Sequence, residues 1–142
     1  MSFNVLVVDD SKVMRAMVIR TLKMSGVPLG EIHQAGDGRQ ALEVLKDNWV
    51  DLALVDINMP VMNGEELIDR VRETPELRDL AIVVVSTESS QTRIRKVQNQ
   101  GALFVHKPFT PEELREQVVA LTGVSNDFGF DVGAEEGGDF SF

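Results

Sequence analysis

The sequence predicts an α/β fold, a doubly wound sheet of five parallel strands with helices on both faces. Two observations carry this. Apolar runs of four or five residues alternate with longer segments of helical period, the pattern of βα units around a parallel sheet. The central runs, such as NVLVV, LALV and AIVVV, are β-branched and almost continuously apolar, as expected of strands covered on both faces.

Strands are expected near residues 4–8, 31–34, 52–55, 81–85 and 103–105. The second has the weakest apolar run and is assigned to an edge. Between them, Met14, Met17, Val18 and Leu22 recur on one face and predict the buried stripe of a first helix. Later helix starts are read from capping chemistry, because the first N–H groups of a helix need an acceptor. Asp37 with Gln40, Asn63 with Glu66 and Thr110 with Glu113 have the cap-x-x-Glu/Gln spacing, and Pro111 fills a first helical position that needs no N–H. The fourth helix is expected to start near Ser89 or Ser90. Leu114, Val118 and Leu121 mark the buried stripe of the fifth.

At 142 residues the chain suits one compact domain with its own core. The absence of cysteine excludes disulfide frameworks, thiolate catalysis and cysteine-ligated metals. No segment approaches the roughly 20 apolar residues of a membrane span, and the start MSFNVLVV lacks a basic leader, so a cytoplasmic protein is expected. A net charge of −9 argues against a general grip on nucleic acid. Five of the acids lie in residues 124–142, where there is no Lys or Arg, so the rest is only mildly acidic. That stretch, rich in Gly and acid, has no apolar period, and the expected organisation is a domain at 1–123 followed by a tail at 124–142. The tail nevertheless holds Phe128, Phe130, Phe140 and Phe142, four of the seven phenylalanines of the chain. Two readings stay open for it: a disordered tail, or a tethered mimic of an acidic, apolar partner peptide.

The charges that close the apolar runs carry the chemistry. Asp9 and Asp10 follow the first strand, Asp56 the third, Ser86 and Thr87 the fourth, and Lys107 the fifth. In a doubly wound sheet the ligand crevice lies at the carboxyl ends of the strands, so these residues should converge. Carboxylates brought together repel one another unless a cation sits among them. An oxygen donor set without His or Cys favours Mg²⁺ or Mn²⁺, together with phosphoryl chemistry.

These motifs, Asp9-Asp10, Asp56 within DINMPVMNG, Ser86-Thr87 and Lys107-Pro108-Phe109, resemble the receiver domain of two-component response regulators over about residues 1–122. DINMPVMNGEEL and STES are most similar to the stand-alone chemotaxis regulators of the CheY type. The resemblance implies a flavodoxin-like strand order of 2-1-3-4-5 and a switch rather than an enzyme with turnover. It implies that Asp56 accepts a phosphoryl group from a histidine kinase and that Asp10, Asp56 and the backbone carbonyl of Asn58 hold Mg²⁺, with Asp9 acting through water. Lys107 would pair with the phosphoryl oxygens, the peptide after it being cis. Ser86 would donate to the phosphorylated Asp56 and Phe104 would turn inward as the aromatic switch. Asn58 and Glu88 would set the dephosphorylation rate, with a short-lived signal expected. The implied partners are a chemotaxis kinase, an output protein such as a flagellar motor switch component, and a phosphatase, with the chain itself a monomer. Many relatives carry Tyr and Thr where this chain has Phe104 and Ser86, so a drier contact is expected at that point.

Other readings compete. A phosphorelay intermediate would pass the group to a histidine phosphotransfer protein. A haloacid-dehalogenase-type phosphatase would need its nucleophile in a DxD after the first strand, whereas this chain has adjacent Asp9-Asp10. A phosphorylation-independent adaptor would not need Asp56. Among other residues, His33 and His106 read as structural or solvent-facing, Gly64 as a turn or helix-start requirement, and Met14, Met17 and Met24 as core filler. Trp49 is expected to cover the start of the third strand. Arg93, Arg95 and Lys96 read as a solvated helix face or as part of an output face.

Overall fold

The computed structural model describes residues 2–122. Strands β1 (Phe3–Val8), β2 (Leu29–Ala35), β3 (Leu52–Val55), β4 (Ala81–Ser86) and β5 (Leu103–His106) alternate with helices α1 (Lys12–Met24), α2 (Gly38–Asp47), α3 (Gly64–Glu73), α4 (Gln91–Asn99) and α5 (Pro111–Thr122). All strand pairs are parallel, in the order β2-β1-β3-β4-β5. The expected edge strand, β2, is at an edge, and it exposes Gly30, Glu31 and Gln34 while β3 is buried throughout.

The two-residue period of the strands sorts the core into two layers. Val5, Val7, Leu52, Leu54, Val83 and Val85 point to one face, where they meet Val18 and Leu22 of α1 and Leu114 and Val118 of α5. Leu6, Val8, Ala53, Val55, Ile82 and Val84 point to the other, against Leu45 of α2, Leu67, Ile68 and Val71 of α3 and Val97 of α4. Each of the central strands therefore has no face left for water, which explains their unbroken apolar sequences.

The caps form as their chemistry requires. Asp37 Oδ1 accepts the Gln40 N–H at 2.8 Å, and Asn63 and Glu66 make a reciprocal capping box. Thr110 and Glu113 do the same around Pro111, with Glu113 Oε1 accepting the Thr110 N–H at 2.8 Å and Thr110 Oγ1 accepting that of Glu113 at 3.1 Å. The cap of α4 is Ser90. That of α1 is Ser11, whose Oγ accepts the Met14 N–H at 3.2 Å, leaving Asp10 free of a capping role.

Three expectations about packing are corrected. Met17 is 54% exposed, because α1 turns Val18 and Leu22 to the sheet and residue 17 lies about 100° around the helix from residue 18, and Met14, on the Val18 face, is only half-buried. Met24 is also exposed, at the end of the same helix. Trp49 is 75% exposed: its neighbour Val50 enters the core, so the indole lies on the surface and donates its Nε1–H to Asp51 Oδ1 at 2.9 Å.

Gly64 has a sharper role than a turn. The first residue of α3 packs on the backbone that carries Asp56: its N–H donates to the Ile57 carbonyl at 2.8 Å, and a Cβ there would meet the Asp56 carbonyl oxygen and stand 2.9 Å from Ile57 Cα. Backbone cannot move aside as a side-chain tip can. Gly64→Ala is expected to cost about 2–3 kcal/mol in a denaturant titration, through overpacking, and to displace the Asp56 loop.

Candidate functional site

Because the sheet is parallel, the residues after β1, β3, β4 and β5 emerge at one edge. Backbone hydrogen bonds continue the ladder one step past the strands and hold the site residues in register. The Asp9 N–H donates to the Ala35 carbonyl at 3.1 Å, that of Asp56 to Val8 at 2.9 Å, and that of Lys107 to Ser86 at 3.0 Å. The functional side chains thus hang from a rigid sheet edge rather than from free loops.

Asp9, Asp10 and Asp56 converge. Each offers a carboxylate oxygen within 4.8 Å of the other two, in a gradient from buried Asp9 through half-buried Asp56 to exposed Asp10. Lys107 Nζ sits between the inner pair, 2.9 Å from Asp9 Oδ2 and 3.8 Å from Asp56 Oδ2. The other oxygen of Asp9 accepts the Ser11 N–H at 2.9 Å, so this carboxylate is satisfied on both sides. The Lys107-Pro108 peptide is cis, as the resemblance implied.

Burial holds the Asp56 carboxyl above the usual aspartate range. Lys107, the Ser86 hydroxyl and the Ile57 N–H pull it back down, while the Asp9 charge pushes it further up. One ammonium faces three carboxylates, and each unscreened carboxylate pair at this separation costs on the order of 3–4 kcal/mol at an effective dielectric of about 20. A divalent cation resolves that imbalance. The cluster fits Mg²⁺: three carboxylate oxygens close enough to share an ion, no nitrogen or sulfur donor among them, and an exposed side at Asp10 for water.

Around this centre, Ser86 is fully buried and its Oγ accepts the Glu88 N–H at 3.1 Å. Thr87 is exposed. Phe104 is half-buried, packs against the core layer shared with α2, α3 and α4, and meets the exposed His106 edge-on with ring centroids 5.2 Å apart. His33 is half-buried, 3.2 Å from Glu31. The side chains of Asn58 and Glu88 touch, with Asn58 Nδ2 donating to Glu88 Oε1 at 3.3 Å.

Of the two readings for Arg93, a solvated helix face is corrected: it turns toward this rim and pairs with Glu88, Asn58 and Glu65. Glu65 and Arg93 were not legible as site neighbours, since they lie on separate helices and only the packing of α3 beside α4 brings them together. Arg95 and Lys96 are exposed.

Comparison with known proteins gives a family and a fold. The sequence model of the family described as "Response regulator receiver domain" matches residues 5–119. The chain is 34% identical over 128 residues to the "Chemotaxis protein CheY homolog" of Campylobacter jejuni, covering 89% of this chain and 97% of that protein. It is 39% identical over 113 residues to the "Two-component response regulator ORR3" of Oryza sativa, covering 78% and 84%. Among solved structures, the chemotaxis response regulator CheY4 of Vibrio cholerae superposes with a TM-score of 0.73 at 34% identity, covering 85% of this chain and 99% of that one.

Proposed function

Since this chain belongs to the response regulator receiver domain family of two-component signalling, we propose that Asp56 is its phosphoacceptor and that the phosphorylated form signals by binding a partner protein in chemotaxis. The observation that carries this is the convergence of Asp9, Asp10 and Asp56 on Lys107 at one sheet edge.

The chemistry follows from the arrangement. An Asp56 carboxylate oxygen bonds to the phosphorus of a phosphohistidine, the P–N bond breaks, and its electron pair leaves with the imidazole; the product is an acyl phosphate. Burial makes this oxygen more basic than an exposed carboxylate, while Lys107 favours its charged form. Asp10, Asp56 and the Asn58 carbonyl would hold Mg²⁺, with Asp9 contributing through water; bound there, the ion neutralises phosphoryl charge. Lys107, now 3.8 Å from Asp56, supplies a second cation to the phosphoryl oxygens. The Ser86 hydroxyl, already acting on Asp56, donates to a third, and its shift opens the space that Phe104 fills from the core side. With Phe in that place, the partner contact lacks a phenolic hydroxyl. A histidine kinase as donor and a motor switch component as target complete the reading, with a cytoplasmic site of action; among the described residues no helix is long and apolar enough to cross a membrane. The proposed tail at 124–142 lies outside the described residues.

A small acyl phosphate tests the reading. Mixed with the chain and Mg²⁺, it is expected to leave one phosphoryl group per chain that is labile to base and to hydroxylamine, and a chelator should prevent this. Equal labelling with and without Mg²⁺ would contradict the assigned site.

A further inference from the structure

Arg93 makes more contacts at the rim of the site than its position on the first turn of α4 requires. Its Nη1 donates to Glu88 Oε1 at 2.6 Å and to Asn58 Oδ1 at 2.9 Å, while Nε and Nη2 donate to Glu65 Oε1 at 3.2 and 3.0 Å. One guanidinium thus ties the loop after β3, the loop after β4 and helix α3 together. Both acidic partners are shielded, Glu65 and Glu88 having side chains only 13% and 14% exposed, so these pairs are less screened than surface ion pairs.

The consequence for Glu88 is that its acceptors are committed. Oε1 takes both Arg93 and the Asn58 amide, and Oε2 takes the Ser90 N–H at 2.9 Å. Asn58 in turn spends its Oδ1 on Arg93 and its Nδ2 on Glu88. These two residues lie on the loops that flank the proposed phosphoacceptor, Asn58 two residues after Asp56 and Glu88 bonded through its N–H to the Ser86 hydroxyl. They are the polar groups best placed to orient a water molecule there.

Resting on the phosphoacceptor reading above, we propose that Arg93, anchored by Glu65, is a positioning residue that lengthens the life of the acyl phosphate by keeping Glu88 and Asn58 from orienting water. Hydrolysis needs a water oxygen to bond to phosphorus while the bond from phosphorus to Asp56 oxygen breaks, its electron pair returning to the carboxylate. The water proton must pass to an acceptor. With Arg93 in place, both Glu88 oxygens are already engaged, Oε1 by two donors and Oε2 by the Ser90 N–H. Released, Glu88 becomes an acceptor on a loop that flanks the reacting centre.

The test is the decay of the phosphorylated chain after removal of a small acyl phosphate, in Mg²⁺ at neutral pH. Arg93→Ala is expected to speed decay by about 3- to 30-fold, part of what a positioned proton acceptor contributes. Glu65→Gln keeps the guanidinium but loosens its anchor, and should move decay in the same direction by less. Adding Glu88→Ala to Arg93→Ala should return decay toward the wild-type rate, a reversal that mere loosening of the fold would not produce. Normal phosphoryl uptake with unchanged or slower decay in Arg93→Ala, or an Arg93→Ala/Glu88→Ala chain as fast as Arg93→Ala, would overturn the role of Arg93 alone. Failure of the wild type to take up a phosphoryl group would overturn the phosphoacceptor reading as well.

Discussion

An Asp56→Asn chain is expected to lose phosphoryl uptake by about 10³-fold or more, as removal of a reacting nucleophile generally does, while becoming more resistant to heat at neutral pH. The two effects have one cause. Asp56 is held in a half-buried place that disfavours its charge, with Lys107 offsetting part of the penalty and Asp9 adding to it. A carboxyl whose folded pKa lies above its unfolded value binds protons more tightly in the folded state, so wild-type stability falls as pH rises through the interval from the ordinary aspartate value of 3.8 to the raised one. The amide carries no charge to desolvate, so the variant should gain a few degrees in Tm at neutral pH. That gain should vanish below pH 3.8, where the carboxyl is protonated in both states. Thermal melts across this range check the sign, and a variant less stable than wild type at pH 7 would refute the electrostatic account. Mg²⁺ should raise the Tm of the wild type more than that of the variant, because binding to the folded state alone shifts the equilibrium by mass action.

Lys107→Ala should be the second most damaging change to the chemistry. Its side chain is only 10% exposed, and its ammonium contacts Asp9 directly and reaches toward Asp56, so it works in a medium less polar than water. Removing a preorganised donor to a developing anionic centre costs about 10²- to 10³-fold in rate, and that is the loss expected in the initial rate of phosphoryl uptake. Stability should fall too at neutral pH, since Asp9 and Asp56 then face each other unpaired. The deficit should narrow as the solution is acidified and Asp56 protonates. Lys107→Met, which keeps the stem and drops the charge, separates packing from electrostatics: uptake within about threefold of wild type in this variant would show that the charge is dispensable.

Much of this site was legible before the fold was known, because apolar strands that end in charges announce where the charges gather. NVLVV before Asp9, LALV before Asp56 and LFVH before Lys107 each marked a strand end, and a parallel sheet leaves only one edge for such ends to share. The helix caps at Asp37, Asn63 and Thr110 were legible for a similar reason, being local in sequence. What failed was information that depends on how an element is rotated. The apolar stripe of α1 excludes Met17, and Val50 rather than Trp49 covers the start of the third strand. The pairing of Arg93 with Glu65 spans 28 residues and two helices, with no periodic signal to reveal it. The requirement for Gly64 was visible only as a glycine; its physical cause is the approach of two backbones.

The most direct test of the account is the position of the phosphoryl group. After treatment with a small acyl phosphate and Mg²⁺, borohydride reduction of the acyl phosphate and peptide mass mapping should find the modified aspartate at Asp56, with Asp9 and Asp10 unchanged. Modification at Asp9 or Asp10, or none at Asp56, would contradict it.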